Sequence, residues 1–362
     1  MKILILYTYN KGLLSSFFQE LSMKLSLEGY DVVNFYLKHK TETFIQDGVS
    51  FYGKKRGGYF RNYLNIYKIV KQTQPDIIVS NFSYVNPALL FGSILGVKKN
   101  IVWFHTVYGH SRPNKLKIII KKRFLKLADL VIANSEILQK EMQEVYNMPS
   151  HKTCSIAFWT NISNHQSNSD LLYRERKENV LYIGCPGRLV ADKNHALVIK
   201  AIAALKQTTN KTLRLYIAGN GVFKNELQQL VKDLHLEENV VFLGLLDVSE
   251  MIAFYKAMDV VVLPSFHEAF GLVFIEAIAL GTPVLVSNAF GALDFIDRNR
   301  FPLQHMSFNP ESVQDLCEKL DPYVTGNGLG SSYFKTMYEA TFEKDVIYNQ
   351  VKTAILNKNM ST

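Results

Sequence analysis

Cysteine is scarce: Cys154, Cys185 and Cys317 are the three in 362 residues. Odd in number and far apart, they exclude a disulfide framework and a thiolate metal site, and they suit a reducing compartment. No apolar run approaches the ~20 residues that a membrane-spanning helix needs. The opening MKILILYTYNKG holds an apolar stretch too short for a secretion-signal core, with no small-residue cleavage site after it. A cytoplasmic protein whose membrane contact is at most peripheral is the expectation. An Asp-x-Asp pair, a His/Cys cluster, internal repeats and low-complexity tracts are all missing. The Gly219-Asn-Gly221 turn lacks the third glycine of a dinucleotide fingerprint, which makes a poor nicotinamide site. A plain turn and a ligand-edge loop remain equal readings of it.

Acidic charge is also short, and unevenly so. The net charge is +9. Residues 1–170 hold 22 Lys and Arg against 11 Asp and Glu, an excess of +11, whereas residues 171–362 hold 19 against 21, or −2. The whole excess sits in the first half, which points to an anionic partner there: nucleic acid, an anionic membrane or a phosphorylated substrate.

The length exceeds what one hydrophobic core usually supports, so two domains are expected. Apolar, β-branched runs at 2–7, 31–36, 76–80, 100–104 and 130–133 read as buried strands, as do those at 180–184, 214–218, 240–243, 260–263 and 283–287. Helical periodicity separates them at 13–27, 59–71, 196–205, 225–234 and 249–257. Strands alternating with helices imply parallel, doubly wound sheets with right-handed crossovers. The polar, Asn- and Ser-rich stretch 161–179 reads as a linker between 1–165 and 178–341. Ligands of such sheets collect at the carboxyl ends of the strands, and a cleft between the two domains is the expected active site.

Five segments carry chemistry. In FHEAFGLVFIEAIALGTPV, Gly271 stands where a helix should begin after the strand DVVVLP. Free amides and the positive end of a helix dipole make such a start an anion site. Glu268 and Glu276 would repel a bare phosphate there, but carboxylates accept hydrogen bonds from ribose and sugar diols. An isolated Glu at either place would read as a solvated or dipole-compensating residue. In CPGRLVADKNH, Arg188 and Lys193 follow the first strand of the second half and suit a diphosphate; exposed surface cations are the plainer reading. Gly12 follows the first strand of the chain and His105 follows IVWF. There a glycine lets backbone approach a ligand closely and a histidine faces the expected cleft, although a simple turn and a satisfied polar residue compete. Finally, Lys115, Lys117, Lys121, Lys122, Arg123 and Lys126 interleave with Leu116, Ile119, Ile120, Phe124 and Leu127 at helical spacing. A basic amphipathic helix suits an anionic membrane surface, where each cation contributes about 1 kcal/mol, and an ordinary packed helix with a charged face fits equally. Nucleic acid is disfavoured, because no reader motif accompanies the charge.

Taken together, PGRLVADKNH, AGNG, VVFLG, DVVVLP and HEAFGLVFIEAIALGTPV resemble the retaining nucleotide-sugar glycosyltransferases of family 4. The resemblance covers nearly all of the second half; in the first, FHT and VIANSE fit. It implies the GT-B architecture, two Rossmann-like domains facing each other across a cleft, with residues 342–362 forming a helix that crosses back to the first domain. It also implies roles. Arg188 and Lys193 would hold the donor diphosphate, Glu276 the ribose and Glu268 the sugar. Amides of Phe270, Gly271 and Leu272 would complete the donor site beside Gly219, and backbone at Leu246 would read the base. His105, taken with Glu268 as catalytic, would reach the donor sugar, and Gly12 would occupy the phosphate loop of the first domain, where many relatives carry two adjacent glycines and this chain has Lys11-Gly12. No metal or cofactor is implied. The donor would be a nucleoside diphosphate sugar, UDP before GDP, and the acceptor a glycan or lipid-linked molecule of a surface polysaccharide, met at the inner face of the cell membrane. A sugar-nucleotide epimerase of the same architecture and a non-catalytic membrane scaffold are the alternatives.

Overall fold

The computed structural model describes residues 1–10, 12–105, 115–165 and 177–357. The chain divides into two compact units, Met1–Phe158 with Lys344–Thr362, and Trp159–Glu343.

The first unit is built on an eight-stranded sheet of order β3-β4-β2-β1-β5-β6-β7-β8. Its strands are β1 (Lys2–Leu6), β2 (Asp31–Lys38), β3 (Glu42–Gln46), β4 (Val49–Lys55), β5 (Ile77–Asn81), β6 (Lys99–Phe104), β7 (Leu130–Ala133) and β8 (Thr153–Ser155). All neighbours pair in parallel except β3 and β4. Those two form a hairpin through Asp47 and Gly48, both at positive φ, as a tight two-residue turn requires. Helices α1 (Leu13–Leu27), α2 (Tyr59–Thr73), α3 (Val85–Ile94), α4 (Lys115–Leu125) and α5 (Glu136–Glu144) connect the strands. One core layer packs Leu4, Val33, Phe35 and Ile78 of the sheet with Ile66, Ile69 and Ala88 of α2 and α3. Another sets Phe17 and Phe18 of α1 edge-on against Trp103, with Phe158 stacked on the Trp103 ring.

The second unit carries a six-stranded parallel sheet of order β11-β10-β9-β12-β13-β14. Its strands are β9 (Val180–Pro186), β10 (Thr212–Ala218), β11 (Val240–Gly244), β12 (Val260–Leu263), β13 (Val284–Ser287) and β14 (Ser307–Phe308). Helices α6 (His195–Lys206), α7 (Lys224–Asp233), α8 (Val248–Ala257), α9 (Leu272–Ala279), α10 (Val313–Thr325) and α11 (Ser331–Thr341) complete it. Strands β12 and β13 are buried at every position, which explains their unbroken apolar runs.

The division falls at Phe158/Trp159, ahead of the expected linker. Residues 159–165 pack into the second unit: Trp159 and Ile162 are buried, and the Tyr338 hydroxyl both accepts from the Thr160 amide (3.2 Å) and donates to its carbonyl (3.0 Å). Residues 166–176 of that stretch, like Thr106–Gly109 and residues 112–114 of the basic segment, lie outside the described residues. The last helix, α12 (Lys344–Leu356), starts two residues later than expected, because Phe342 is buried against Phe270 and Phe274 of the second unit. Helix α12 itself docks in the first unit, burying Ile347, Val351 and Ile355. Lys344 pairs with Glu20 and Lys352 with Glu28, both at 3.1 Å. Lys99 caps its end by donating to the Ala354 carbonyl at 2.9 Å.

Candidate functional site

In the second unit the chain runs from β9 outward to β11 and then returns to the other side of β9 for β12. That reversal makes the gap between β9 and β12 the topological switch point, where open α/β sheets bind ligands at the strands' carboxyl ends. Arg188 and Lys193 follow β9, and Glu268 to Glu276 follow β12, so both cation and carboxylate segments meet there. The Phe266 amide donates to the Asp192 carbonyl (2.9 Å), tying the two loops directly. The Lys193 ammonium donates to Glu268 Oε2, and both side chains are largely buried. Arg188 is exposed.

Glu268 is fixed from both sides by β13's loop. Its amide donates to the Ala289 carbonyl (3.2 Å) and its carbonyl accepts from Gly291 (3.0 Å), while the Phe270 carbonyl accepts from Ala292 (2.9 Å). Gly271 caps α9 at φ +98, and a Cβ there would stand 2.3 Å from the Phe290 ring, so only glycine fits. Leu272 then opens α9, whose first turn has no acidic residue and no side-chain cap, leaving its leading amides for a ligand. Phe270 is buried.

Glu276 is not the solvated helix residue that isolated reading would suggest. It is 7% exposed and accepts a hydrogen bond from the Tyr255 hydroxyl at 2.9 Å. Burial raises its pKa to about 7, and the Tyr255 bond opposes that rise. The same burial and the neighbouring carboxylate push Tyr255 far above its ordinary value. Tyr255 escaped the sequence reading, since a partner 21 residues away on another helix leaves no local pattern.

Gly219 has a structural reason of its own. At φ +148, its Cβ would lie 1.9 Å from the Gly187 carbonyl oxygen, and the Gly187 amide donates to the Ala218 carbonyl at 2.8 Å. The loops after β9 and β10 therefore touch backbone to backbone. Leu246 lies in the turn between β11 and α8, and the carbonyl of Gly244, the last residue of β11, accepts from the Gly219 amide at 2.7 Å. Beneath the Gly187 turn lies His195, which is buried, has no hydrogen-bond partner among the described residues on either ring nitrogen, and is driven to a pKa of about 4 by burial. Its ring is neutral.

Two first-unit candidates already have partners within their own unit. Gly12 has φ −80, open to any residue, and its amide donates to Asn10 Oδ1 at 2.8 Å; as N-cap of α1 it is a turn residue whose amide is already engaged. His105, at the end of β6, does not hold a ring nitrogen free: Nδ1 lies 2.6 Å from Asn134 Oδ1 and Nε2 2.6 Å from Asn81 Oδ1. Both asparagines are buried at the ends of the flanking strands β7 and β5, with their amide nitrogens donating to the Ile156 and Leu6 carbonyls. Burial pulls His105 down to about 4, whereas the Asn134 contact acts upward. A neutral ring has one N–H, so one of the two amide oxygens faces a lone pair unless that amide turns over. Phe82 stacks on the His105 ring at 4.7 Å between centroids.

The basic helix is less one-sided than its sequence implies. Leu116, Ile119 and Ile120 are exposed beside Lys115 and Lys117, and Leu125 is its one buried residue. Lys121 instead turns inward over the Phe104 ring, 4.5 Å from its centroid, and Lys122 donates to Asn147 Oδ1 at 2.8 Å. Arg123 and Lys126 are exposed. Among the described residues no group of three His, Cys, Asp or Glu could hold a metal ion, and no helix is long and apolar enough to cross a membrane.

Two family models match this arrangement in tandem. "Glycosyltransferase Family 4" matches residues 14–157, and "Glycosyl transferases group 1" matches residues 173–334, the span holding every residue of the switch-point site. The chain belongs to the family 4 glycosyltransferases. Among the relatives of this family 4 chain, an uncharacterized glycosyltransferase of Methanocaldococcus jannaschii is 28% identical over 198 residues, 50% of this chain and 48% of that one. The alpha-monoglucosyldiacylglycerol synthase of Streptococcus pneumoniae is 25% identical over 253 residues, 64% of this chain and 56% of that one. A Campylobacter jejuni N-acetylgalactosaminyltransferase, named for a diacetylbacillosaminyl-diphospho-undecaprenol acceptor, is 34% identical over 139 residues, 36% of this chain and 35% of that one. The chain spans about half the length of the first curated relatives it matches. Solved structures share the fold over almost the whole chain. Sucrose-phosphate synthase from Thermosynechococcus elongatus has a TM-score of 0.76 at 18% identity, covering 97% of each chain. Anabaena HepE in complex with UDP and glucose has 0.75 at 20% identity, covering 97% of this chain and 98% of that one. The family 4 fold here is thus two parallel-sheet Rossmann-like domains of GT-B type.

Proposed function

We propose that the chain is a retaining glycosyltransferase that moves a sugar from a nucleoside diphosphate sugar, UDP-linked before GDP-linked, onto a lipid-linked or glycan acceptor. The observation that carries this reading is the meeting of Arg188, Lys193, Glu268, the α9 amides and buried Glu276 at one switch point. Diphosphate, sugar and ribose each find a chemically matched partner there. Lys193 and Glu268 are paired with each other, so the pair is shared with donor: phosphate takes up lysine N–H bonds and sugar hydroxyls donate to the carboxylate.

The acceptor hydroxyl attacks the anomeric carbon on the face the diphosphate leaves. The bond from that carbon to the diphosphate oxygen breaks, and the hydroxyl proton passes to that oxygen. Arg188, Lys193 and the helix amides stabilise the charge growing on the leaving group, a role that needs no metal. Residue His105 is assigned a hydrogen-bonding role toward substrate once one asparagine contact is released. Support for a lipid-linked acceptor comes from the names of the Streptococcus and Campylobacter relatives and from the exposed basic-apolar face of α4. That face suits the inner surface of a cell membrane, and a Salmonella O-antigen chain mannosyltransferase, 30% identical over 211 residues, supports a surface-polysaccharide setting. No observation favours an epimerase or a scaffold.

Calorimetry with UDP, GDP and ADP, followed by turnover of labelled donors with membrane lipid extract, tests this. A Lys193→Ala protein is expected to bind its nucleotide at least about tenfold more weakly, roughly 1.4 kcal/mol, with an unchanged melting curve. Folded protein that binds none of the nucleotides would end the reading.

A further inference from the structure

Among the described residues, one side chain holds the Glu276 carboxylate, and it comes from another helix. Tyr255 stands near the end of α8 that leads into the amino end of β12, so it approaches from the side away from the strands' carboxyl ends. Its hydroxyl donates to Glu276 Oε2 at 2.9 Å. The Val273 carbonyl, one turn earlier on α9, is a second and longer acceptor at 3.4 Å. A hydroxyl has one proton to give, and a carboxylate oxygen is the stronger acceptor of the two.

Tyr255 is itself fixed. Its side chain is fully buried. Its carbonyl accepts from the Thr282 hydroxyl at 3.0 Å, which ties the end of α8 to the turn after α9. A buried tyrosine is then a stiff arm with one polar tip. Packing alone does not call for this pair. A buried carboxyl costs more than an apolar side chain of similar size, and burial drives Glu276 toward its neutral form. The bond covers only Oε2; Oε1 has no bond to a described residue, and Glu276 keeps a small exposed surface. A carboxylate with one oxygen tied and the other open is arranged to receive a hydroxyl at the second.

We propose that Tyr255 is a positioning residue for recognition of the donor's ribose: it fixes Glu276 Oε2, so that Oε1 meets the ribose hydroxyls in one orientation. This rests on the donor reading above and deepens it. Tyr255 acts through Glu276 and not on the substrate. Without its bond the Glu276 side chain is free to turn, and ribose must order it on binding, at a cost in affinity. The diphosphate contacts do not pass through Tyr255, because Arg188 and Lys193 follow β9 and the free α9 amides precede Glu276. The consequence is specific: Tyr255 governs the preference for a ribose that carries its hydroxyls, and leaves the remaining donor affinity alone.

Calorimetry of UDP against 2′,3′-dideoxy-UDP, and of the matching GDP pair, tests this on the full chain in wild type, Tyr255→Phe and Glu276→Asp. At pH 8 the wild-type Glu276, with its pKa of about 7, is mostly ionised. The wild type is expected to prefer the ribonucleotide at least tenfold. In Tyr255→Phe that preference should fall to threefold or less, while the dideoxynucleotide binds as it does to wild type. A hydroxyl with only a structural role would weaken both nucleotides alike. Equal losses for the two, or a preference that survives Tyr255→Phe at full strength, overturn the inference. Glu276→Asp keeps the carboxylate but draws it one methylene back from Tyr255, and it should lose the preference as well. A preference retained in Glu276→Asp overturns the inference whether or not Tyr255→Phe folds. If wild type binds ribo- and dideoxynucleotide equally, the ribose role of Glu276 and this inference fall together, while the donor reading stands on the binding itself. If folded protein binds neither, the donor reading falls and takes this inference with it.

Discussion

Glu276 shows how much a single carboxyl changes on burial. Its folded pKa of about 7 lies above the ordinary 4.5. Between those values the folded chain keeps a proton that the unfolded chain has released, so stability falls as pH rises through that window and is level above it. The displacement corresponds to about 3 kcal/mol. Glu276→Gln should therefore flatten the denaturation midpoint between pH 5 and 7, where the wild type declines. In the proposed role, ribose hydroxyls donate to the carboxylate and favour its ionised form. UDP binding near pH 6 should then release a proton, visible as a buffer-dependent calorimetric enthalpy, and Glu276→Gln should abolish that release. Equal enthalpies in MES and Bis-Tris buffers, which differ in ionisation enthalpy, would remove Glu276 from the ribose. Glu268 and Glu276 stood in the sequence as a pair at a helix start. Their difference, one ion-paired with Lys193 and one buried against Tyr255, was not legible there, because both partners arrive from other elements.

Among the elements, the strand–loop joints carry the site, and glycine decides their geometry. Gly219 illustrates this: a methyl group there would overlap the Gly187 carbonyl oxygen, and the rigid backbone on both sides leaves it nowhere to go. Gly219→Ala should lower stability by about 3 kcal/mol or more, measured as a shifted denaturation midpoint, and loosen nucleotide binding through the Gly187–Arg188 turn. A neutral effect would mean the two loops separate readily. The same position was evenly balanced between turn and ligand loop in the sequence, since the conflicting atom belongs to a residue 32 positions earlier. Most long strands and helices were legible from apolar runs and periodicity. The β3–β4 hairpin was not, although Asp47-Gly48 is its turn signal, because β3 is short, exposed and lacks a clear apolar face. Helix α3 was missed for the opposite reason: it is apolar nearly all round and shows little periodicity.

Across the whole molecule, the charge excess of the first half and the exposed apolar residues of α4 combine into one surface expectation. Exchanging Leu116, Ile119 and Ile120 for Ser, or Lys115, Lys117 and Lys126 for Ser, should reduce sedimentation with vesicles containing phosphatidylglycerol. The cation variant should also lose most of the salt dependence of binding, because screening acts on the electrostatic part. Vesicle partition unaltered by both sets would make α4 an ordinary surface helix. Lys121 and Lys122 are left out of these sets, since the fold directs one over Phe104 and the other to Asn147.

Composition, periodicity and ordered motifs were enough to determine two parallel α/β domains, the family and the segments that meet at the switch point of the second sheet, since each of these is written in local pattern. Tertiary structure alone decided what those residues do to one another. It paired Lys193 with Glu268, buried Glu276 beside Tyr255, clamped His105 between Asn81 and Asn134, engaged the Gly12 amide and turned Lys121 inward over Phe104. The reason is physical: burial, desolvation and partner identity are set by strand order, which brings together side chains that lie tens of residues apart in the chain.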